Sequence, residues 1–132
     1  MNDISIIISQ YNDMIYVEVN VTNACNQKCY YCCFRHQDNI KFINLNMLKN
    51  FLLNLYQTTN KHIVVEIIGG EPTLLDKAEL KQFSNDLAIV YPYINVMLFS
   101  NFSAPVELYN FLLKNHFTLF LTWHSLINDR TN

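Results

Sequence analysis

The feature that most constrains this chain is a hydrophobic period that keeps switching. Short β-branched stretches of period two alternate with longer stretches whose apolar residues recur at helical spacing. Residues 4–9 alternate weakly and Tyr11, Asn12 and Asp13 give a turn signal. In residues 15–22, Ile15, Val17, Val19 and Val21 then face one way and Tyr16, Glu18, Asn20 and Thr22 the other, so an N-terminal hairpin is expected. Leu45, Leu48, Phe51, Leu52 and Leu55 predict a helix that Asn44 or Asn46 can cap. Residues 62–68 form a β-branched strand ending in Gly69-Gly70. Asp76 opens a second helix carrying Leu80, Phe83, Leu87 and Val90. A strand over 94–100 follows. Ser103 and Pro105 start a third helix, with Val106, Tyr109, Leu112 and Leu113 on one side, and residues 117–123 form the last strand.

The order is β-loop-α-β-α-β-α-β, which implies an α/β fold with right-handed crossovers and a parallel sheet of about four strands, helices outside. Residues 1–132 read as a single domain without an internal linker. Ligands of parallel α/β sheets and barrels bind at the C-terminal ends of the strands. The residues with chemical potential fall there. Cys25 follows the first parallel strand, Gly69 to Pro72 the second, Ser100-Asn101 the third and His124 the fourth.

Composition narrows the function classes. The formal net charge is −2 and no run of Lys or Arg marks a nucleic-acid or membrane footprint. No stretch reaches the roughly 20 apolar residues of a membrane span. Asp3 precedes the apolar start where a signal peptide carries positive charge, so a cytoplasmic, reducing compartment is expected. All four cysteines fall between Cys25 and Cys33. Such crowding is a poor disulfide framework and favours metal or redox chemistry.

The cysteine spacing is Cys25-x3-Cys29-x2-Cys32. Three thiolates can ligate three irons of a cubane and leave the fourth open; they can equally hold zinc, with Cys33 or His36 as fourth ligand. Cys33 reads more simply as a small buried residue. In Gly69-Gly70-Glu71-Pro72 the glycines permit unusual backbone angles and close approach, while Pro72 stiffens the exit. The tetrapeptide is either a tight turn with a solvated Glu or a cradle of carbonyls and a carboxylate for an ammonium group. Ser100-Asn101 reads as a strand-end Asx turn or a polar contact, and His124 as a structural histidine or a donor.

Together the cysteine loop, with Tyr31 before its third cysteine, and the strand-end Gly-Gly-Glu-Pro turn resemble the signature of radical SAM enzymes. The resemblance runs from about Ile15 to Ser125. It implies that Cys25, Cys29 and Cys32 hold a 4Fe–4S cluster whose open iron binds S-adenosylmethionine. On that pattern Tyr31 lies beside the adenine, and Gly69, Gly70 and Glu71 contact the methionine amine. Ser100 and Asn101 touch the ribose or carboxylate, and His124 adds a polar contact. The implied chemistry is reductive cleavage of S-adenosylmethionine to a 5′-deoxyadenosyl radical that abstracts hydrogen from a substrate. An electron donor such as flavodoxin or ferredoxin is implied as partner. No protein residue is assigned as acid or base. The Gly-Gly-Glu-Pro-Thr-Leu form and the hairpin lean toward peptide-modifying relatives.

The chain departs from that family in extent. Family cores contain six βα units, and here four core strands are visible, so a partial (βα) barrel plus a short hairpin strand is expected. The strand over 117–123 is then a hydrophobic edge. The chain is accordingly read as an incomplete core domain: a fragment, a half-barrel whose edge is covered by a second copy or another chain, or a remnant that binds a cluster without turnover. A non-catalytic iron–sulfur or cofactor-binding module is the second function class, and a small zinc-binding structural protein the third. If Glu18 and Asn20 face a lumen, Glu66, Thr118, Thr122 and His124 are expected to join them.

Overall fold

Three neighbouring strands bury every second residue, and that alternation decides how the layers stack. In the computed structural model, which describes residues 4–24 and 40–122, β1 (Ser5–Tyr11) and β2 (Met14–Asn20) come first, followed by α1 (Leu45–Thr59) and β3 (His62–Ile68). A 3-10 turn (Pro72–Leu74) leads to α2 (Lys77–Ala88), β4 (Ile94–Ser100), α3 (Val106–Lys114) and β5 (Thr118–Leu121). The strands make one sheet in the order β1-β2-β3-β4-β5. β1 and β2 pair antiparallel, and the remaining neighbours are parallel. The fold is therefore α/β with a mostly parallel sheet. The sheet is open, with β1 and β5 at its edges.

Each element has a local cause. Asn12 takes a positive φ of 57° in the turn between β1 and β2, a conformation asparagine tolerates. Of the two candidate caps, Asn44 starts α1: its side chain accepts the Met47 N–H at 2.9 Å. Asn60, left-handed at φ 55°, ends the helix and donates its N–H to Tyr56 O at 2.7 Å. Asp76 caps α2 by accepting from the N–H groups of Ala78 and Glu79 at 2.8 and 3.1 Å.

The inward stripe is Ile15, Val17 and Val19 on β2, Ile63, Val65 and Ile67 on β3, and Ile94, Val96 and Leu98 on β4. It packs against Leu48 and Leu52 of α1, Leu80, Phe83 and Leu87 of α2, and Leu108 and Leu112 of α3. Because the strands are added in one direction, each right-handed crossover lands on the same side of the sheet. All three helices thus share one face. The opposite face carries Tyr16, Glu18 and Asn20, then Val64, Glu66 and Ile68, then Asn95, Met97 and Phe99, all half-buried.

Three features differ from the sequence expectation: the hairpin strands end at Tyr11 and Asn20 rather than at residues 9 and 22, α3 turns a different face inward, and the last strand is shorter. α3 buries Leu108, Tyr109 and Leu112, whereas Val106 and Leu113 are more than half exposed. Spacing alone permits either face, since Val106 and Leu113 lie one turn from Tyr109 and Leu108 one turn from Leu112; packing selects Leu108. The last strand is Thr118–Leu121, shorter than 117–123. Phe117 is buried and meets Phe83 edge-on at 6.2 Å.

Leu98 lies fully buried at the middle of this layer. Leu98→Ala is expected to lower unfolding free energy in urea by about 3 kcal/mol, through lost burial and the cavity left behind. A loss under about 1 kcal/mol would contradict the packing described.

Candidate functional site at the strand ends

Where β2 and β3 end, their pairing continues into the loops. Val21 N donates to Ile68 O at 3.0 Å, Gly70 N to Thr22 O at 2.7 Å and Glu71 N to Ala24 O at 2.6 Å. The Gly-Gly-Glu-Pro turn is thereby stitched to the residues immediately before Cys25. The glycines are required by contact. Gly69 has φ 118°, and a Cβ on it would lie 2.6 Å from Thr22 O. A Cβ on Gly70 would lie 1.9 Å from Ala24 O.

The chain on the far side of the cysteine segment returns to the same place. Thr22 Oγ1 donates to Lys41 O at 2.6 Å and accepts the Ala24 N–H at 3.0 Å. Asn23, buried, accepts the Lys41 N–H at 2.8 Å on its side-chain oxygen, and Ile43 N donates to Val21 O at 2.8 Å. Thr22 and Phe42 form an isolated antiparallel bridge. Residues 25–39 are thus flanked by two strands of backbone clamped to each other at the end of β2. Cys25, Cys29, Tyr31, Cys32, Cys33 and His36 fall within that interval, and His124 beyond Thr122; all lie outside the described residues.

Glu71 turns inward and is 1 % exposed. Its Oε2 accepts from Thr73 Oγ1 at 2.6 Å, Thr73 N at 3.2 Å and Ser100 Oγ at 2.6 Å, and its Oε1 accepts the Asn101 N–H at 2.6 Å. Such charge-assisted bonds make a buried carboxylate tolerable. The solvated-Glu alternative is excluded by this burial. Ser100, also buried, spends its hydroxyl on Glu71 and on Tyr109. Pro72 opens the 3-10 turn, and Lys77 Nζ reaches back to Thr73 O at 3.1 Å.

The structure therefore brings Gly69, Gly70, Glu71, Ser100 and Asn101 together at one edge of the sheet. Sequence reasoning did not single out Thr22, Asn23, Thr73 or Tyr109 for this site. Thr22-Asn23 directly before Cys25 was the available signal, since such residues close loops onto the backbone. On the open face, the strand register aligns Glu18, Glu66, Met97 and Thr118 in one row, as the alternation predicted for its polar members. His62, at the opposite end of β3, sits edge-on to Tyr93, and His116 stacks on Tyr91 at 4.2 Å. Among the described residues no three His, Cys, Asp or Glu are grouped to hold a metal. Among them also, no helix is long and apolar enough to cross a membrane.

No family model matches the chain, and no curated protein matches it.

The stitch predicts a sharp steric effect. Gly70→Ala should cost about 2–4 kcal/mol in urea unfolding, because the Ala24 carbonyl has to move. An unchanged midpoint would show that the two loops do not meet.

Proposed function

We propose that this chain is an iron–sulfur protein of the radical SAM type, in which Cys25, Cys29 and Cys32 hold a 4Fe–4S cluster and the strand-end turn helps bind S-adenosylmethionine. The observation that carries this reading is the pair of bonds from Gly70 N to Thr22 O and from Glu71 N to Ala24 O. They tie the Gly-Gly-Glu-Pro turn to Thr22 and Ala24, the residues that lead into the cysteine segment, and this supports the reading.

The donor set fits such a group. Thiolates are the soft ligands that iron–sulfur clusters take. The missing side chains of Gly69 and Gly70 make room for the Thr22 and Ala24 backbone, and the carbonyls of this turn are the groups that would meet an amine. When bound, a reduced cluster with one open iron supplies the electron for reductive cleavage of S-adenosylmethionine. The chain's own residues do the positioning. Gly69 and Gly70 offer backbone polar atoms, Asn101 lies one residue past β4, and Tyr31 and His124 supply the adenine-side and ribose-side contacts. Thr22, Asn23 and Lys41 close the base of the cysteine segment. Glu18, Asn20, Glu66 and Thr118 line a polar face on which a substrate can lie. A flavodoxin or ferredoxin is the fitting electron donor, and the reducing cytoplasm the fitting compartment. The one-sided helical layer suits a partial barrel, with a second copy or another chain at the open edge.

The exposed β5 edge, where Phe120 and Leu121 are each 43 % exposed, favours a second reading: a cluster- and cofactor-binding module without turnover.

Anaerobic reconstitution decides the first point. A brown protein with about four irons is expected, with a reduced EPR signal that changes on adding S-adenosylmethionine. A colourless protein that takes up zinc instead would overturn the proposal. Dithionite plus S-adenosylmethionine should then release 5′-deoxyadenosine from the native chain and none from Cys29→Ala. A cluster-loaded chain that changes its signal yet releases nothing is the non-catalytic module.

A further inference from the structure

The Glu71 carboxylate receives donors from its own turn, from the end of β4 and, through Ser100, from α3. Serine has one hydroxyl proton, and Ser100 Oγ gives it to Glu71 Oε2 at 2.6 Å. The 2.8 Å contact between Ser100 Oγ and Tyr109 Oη is therefore donated by Tyr109. Tyr109 Oη in turn accepts the Ala104 N–H at 3.1 Å, and Ser100 Oγ also accepts the Phe102 N–H at 3.2 Å. Donors along Ala104, Tyr109, Ser100 and Glu71 all point toward the carboxylate. Bonds aligned in this way polarise and strengthen one another. The series is buried: Tyr109 is 3 % and Ser100 4 % exposed.

We infer that Tyr109 and Ser100 are positioning residues that act through Glu71, and that the Glu71 side chain is a latch on the turn rather than a ligand contact. Oε2 fixes Thr73 after the turn, and Oε1 fixes Asn101 at the end of β4. Gly70 sits between these anchors and the Ala24 carbonyl, where its placement leaves no slack. The latch thus sets the backbone that the cysteine segment departs from, and Tyr109 controls it from α3. The identity of the positioned ligand rests on the proposed function; the latch itself rests on the hydrogen-bond geometry.

Tyr109→Phe removes the hydroxyl and keeps the ring that packs at 5.4 Å from Phe102. Glu71→Gln serves as the second variant, because an amide must turn an NH₂ toward donors on one side. Amide hydrogen exchange of the ligand-free chain is measured first. In Tyr109→Phe the Gly70, Glu71 and Asn101 amides should exchange about fivefold faster, with Val65 and Leu98 unchanged. Glu71→Gln should give the same pattern, larger. S-adenosylmethionine is then titrated into the cluster-loaded chain and followed by EPR. The cluster signal before addition should match the native one, and the titration midpoint should rise about fivefold in Tyr109→Phe. Equal acceleration at Val65 and Leu98 would overturn the inference, since it marks loss of global stability alone. Unchanged exchange at the three amides, or local acceleration with an unchanged midpoint, would overturn it as well. A native chain whose signal ignores S-adenosylmethionine sinks the proposed ligand, while the exchange comparison still decides the latch.

Discussion

A parallel sheet that adds its strands in one direction can have only one helical face. Right-handed crossovers returning always to the next strand on the same side pass over the same surface, and a second helical layer requires the strand order to reverse. Here β2, β3, β4 and β5 follow one another without reversal. The inward stripe of Ile, Val and Leu is therefore matched by leucines on three helices, and the strand carboxylates Glu18 and Glu66 go to the other side. The same constraint brings every parallel strand's C-terminal end to a single edge. The motifs at residues 22–24, 69–73 and 100–101 meet for that topological reason, far apart as they are in sequence.

At that edge the sheet needs its last backbone groups satisfied, and the chain does this with side chains. The Asn101 N–H, one residue past β4, is taken by Glu71 Oε1, while Thr22 and Ala24 offer carbonyls to Gly70 and Glu71. Burying a carboxylate is costly unless it is hydrogen-bonded. Four donors from Thr73, Ser100 and Asn101 meet that condition. The glycines follow from the same crowding, since backbone that approaches a neighbouring carbonyl so closely has no room for a Cβ.

How much of this was legible depends on the range of the interaction. Strands and helices were readable from period, and the hairpin from Asn12-Asp13, because those signals are local. The cap on α1 was readable to within two residues: Asn44 and Asn46 are chemically equal, and only the Met47 N–H placement separates them. The face of α3 was not readable. Leu108 and Leu113 are both apolar, and the choice is made by packing against α2 and β5. Glu71 shows the limit most clearly. After two glycines it reads as a solvated or ligand-facing acid. What turns it inward is Ser100, a partner 29 residues away, together with a tyrosine that looks like an ordinary helix-face aromatic. The cysteine spacing, by contrast, is a purely sequential feature and was read without any fold at all.

The open face is itself a product of sequence. Glu18 and Glu66 are direct register partners on adjacent parallel strands. Neighbouring strands run about 4.8 Å apart, and like charges placed side by side are unfavourable. A helical layer over that row would add desolvation to repulsion. The two carboxylates thus oppose burial of the β2–β3 part of this face under apolar side chains. They also distinguish two parts of the sheet, the β2–β3 row and the β5 side. Two copies stacked face to face would bring four carboxylates into one layer. On the same face at the β4–β5 side, Phe99 and Phe120 stack at 4.7 Å, and no carboxylate of the β2–β3 row stands among them. Covering the β4–β5 side is favoured by apolar burial; covering the Glu18–Glu66 row requires polar or cationic chemistry from whatever lies on it.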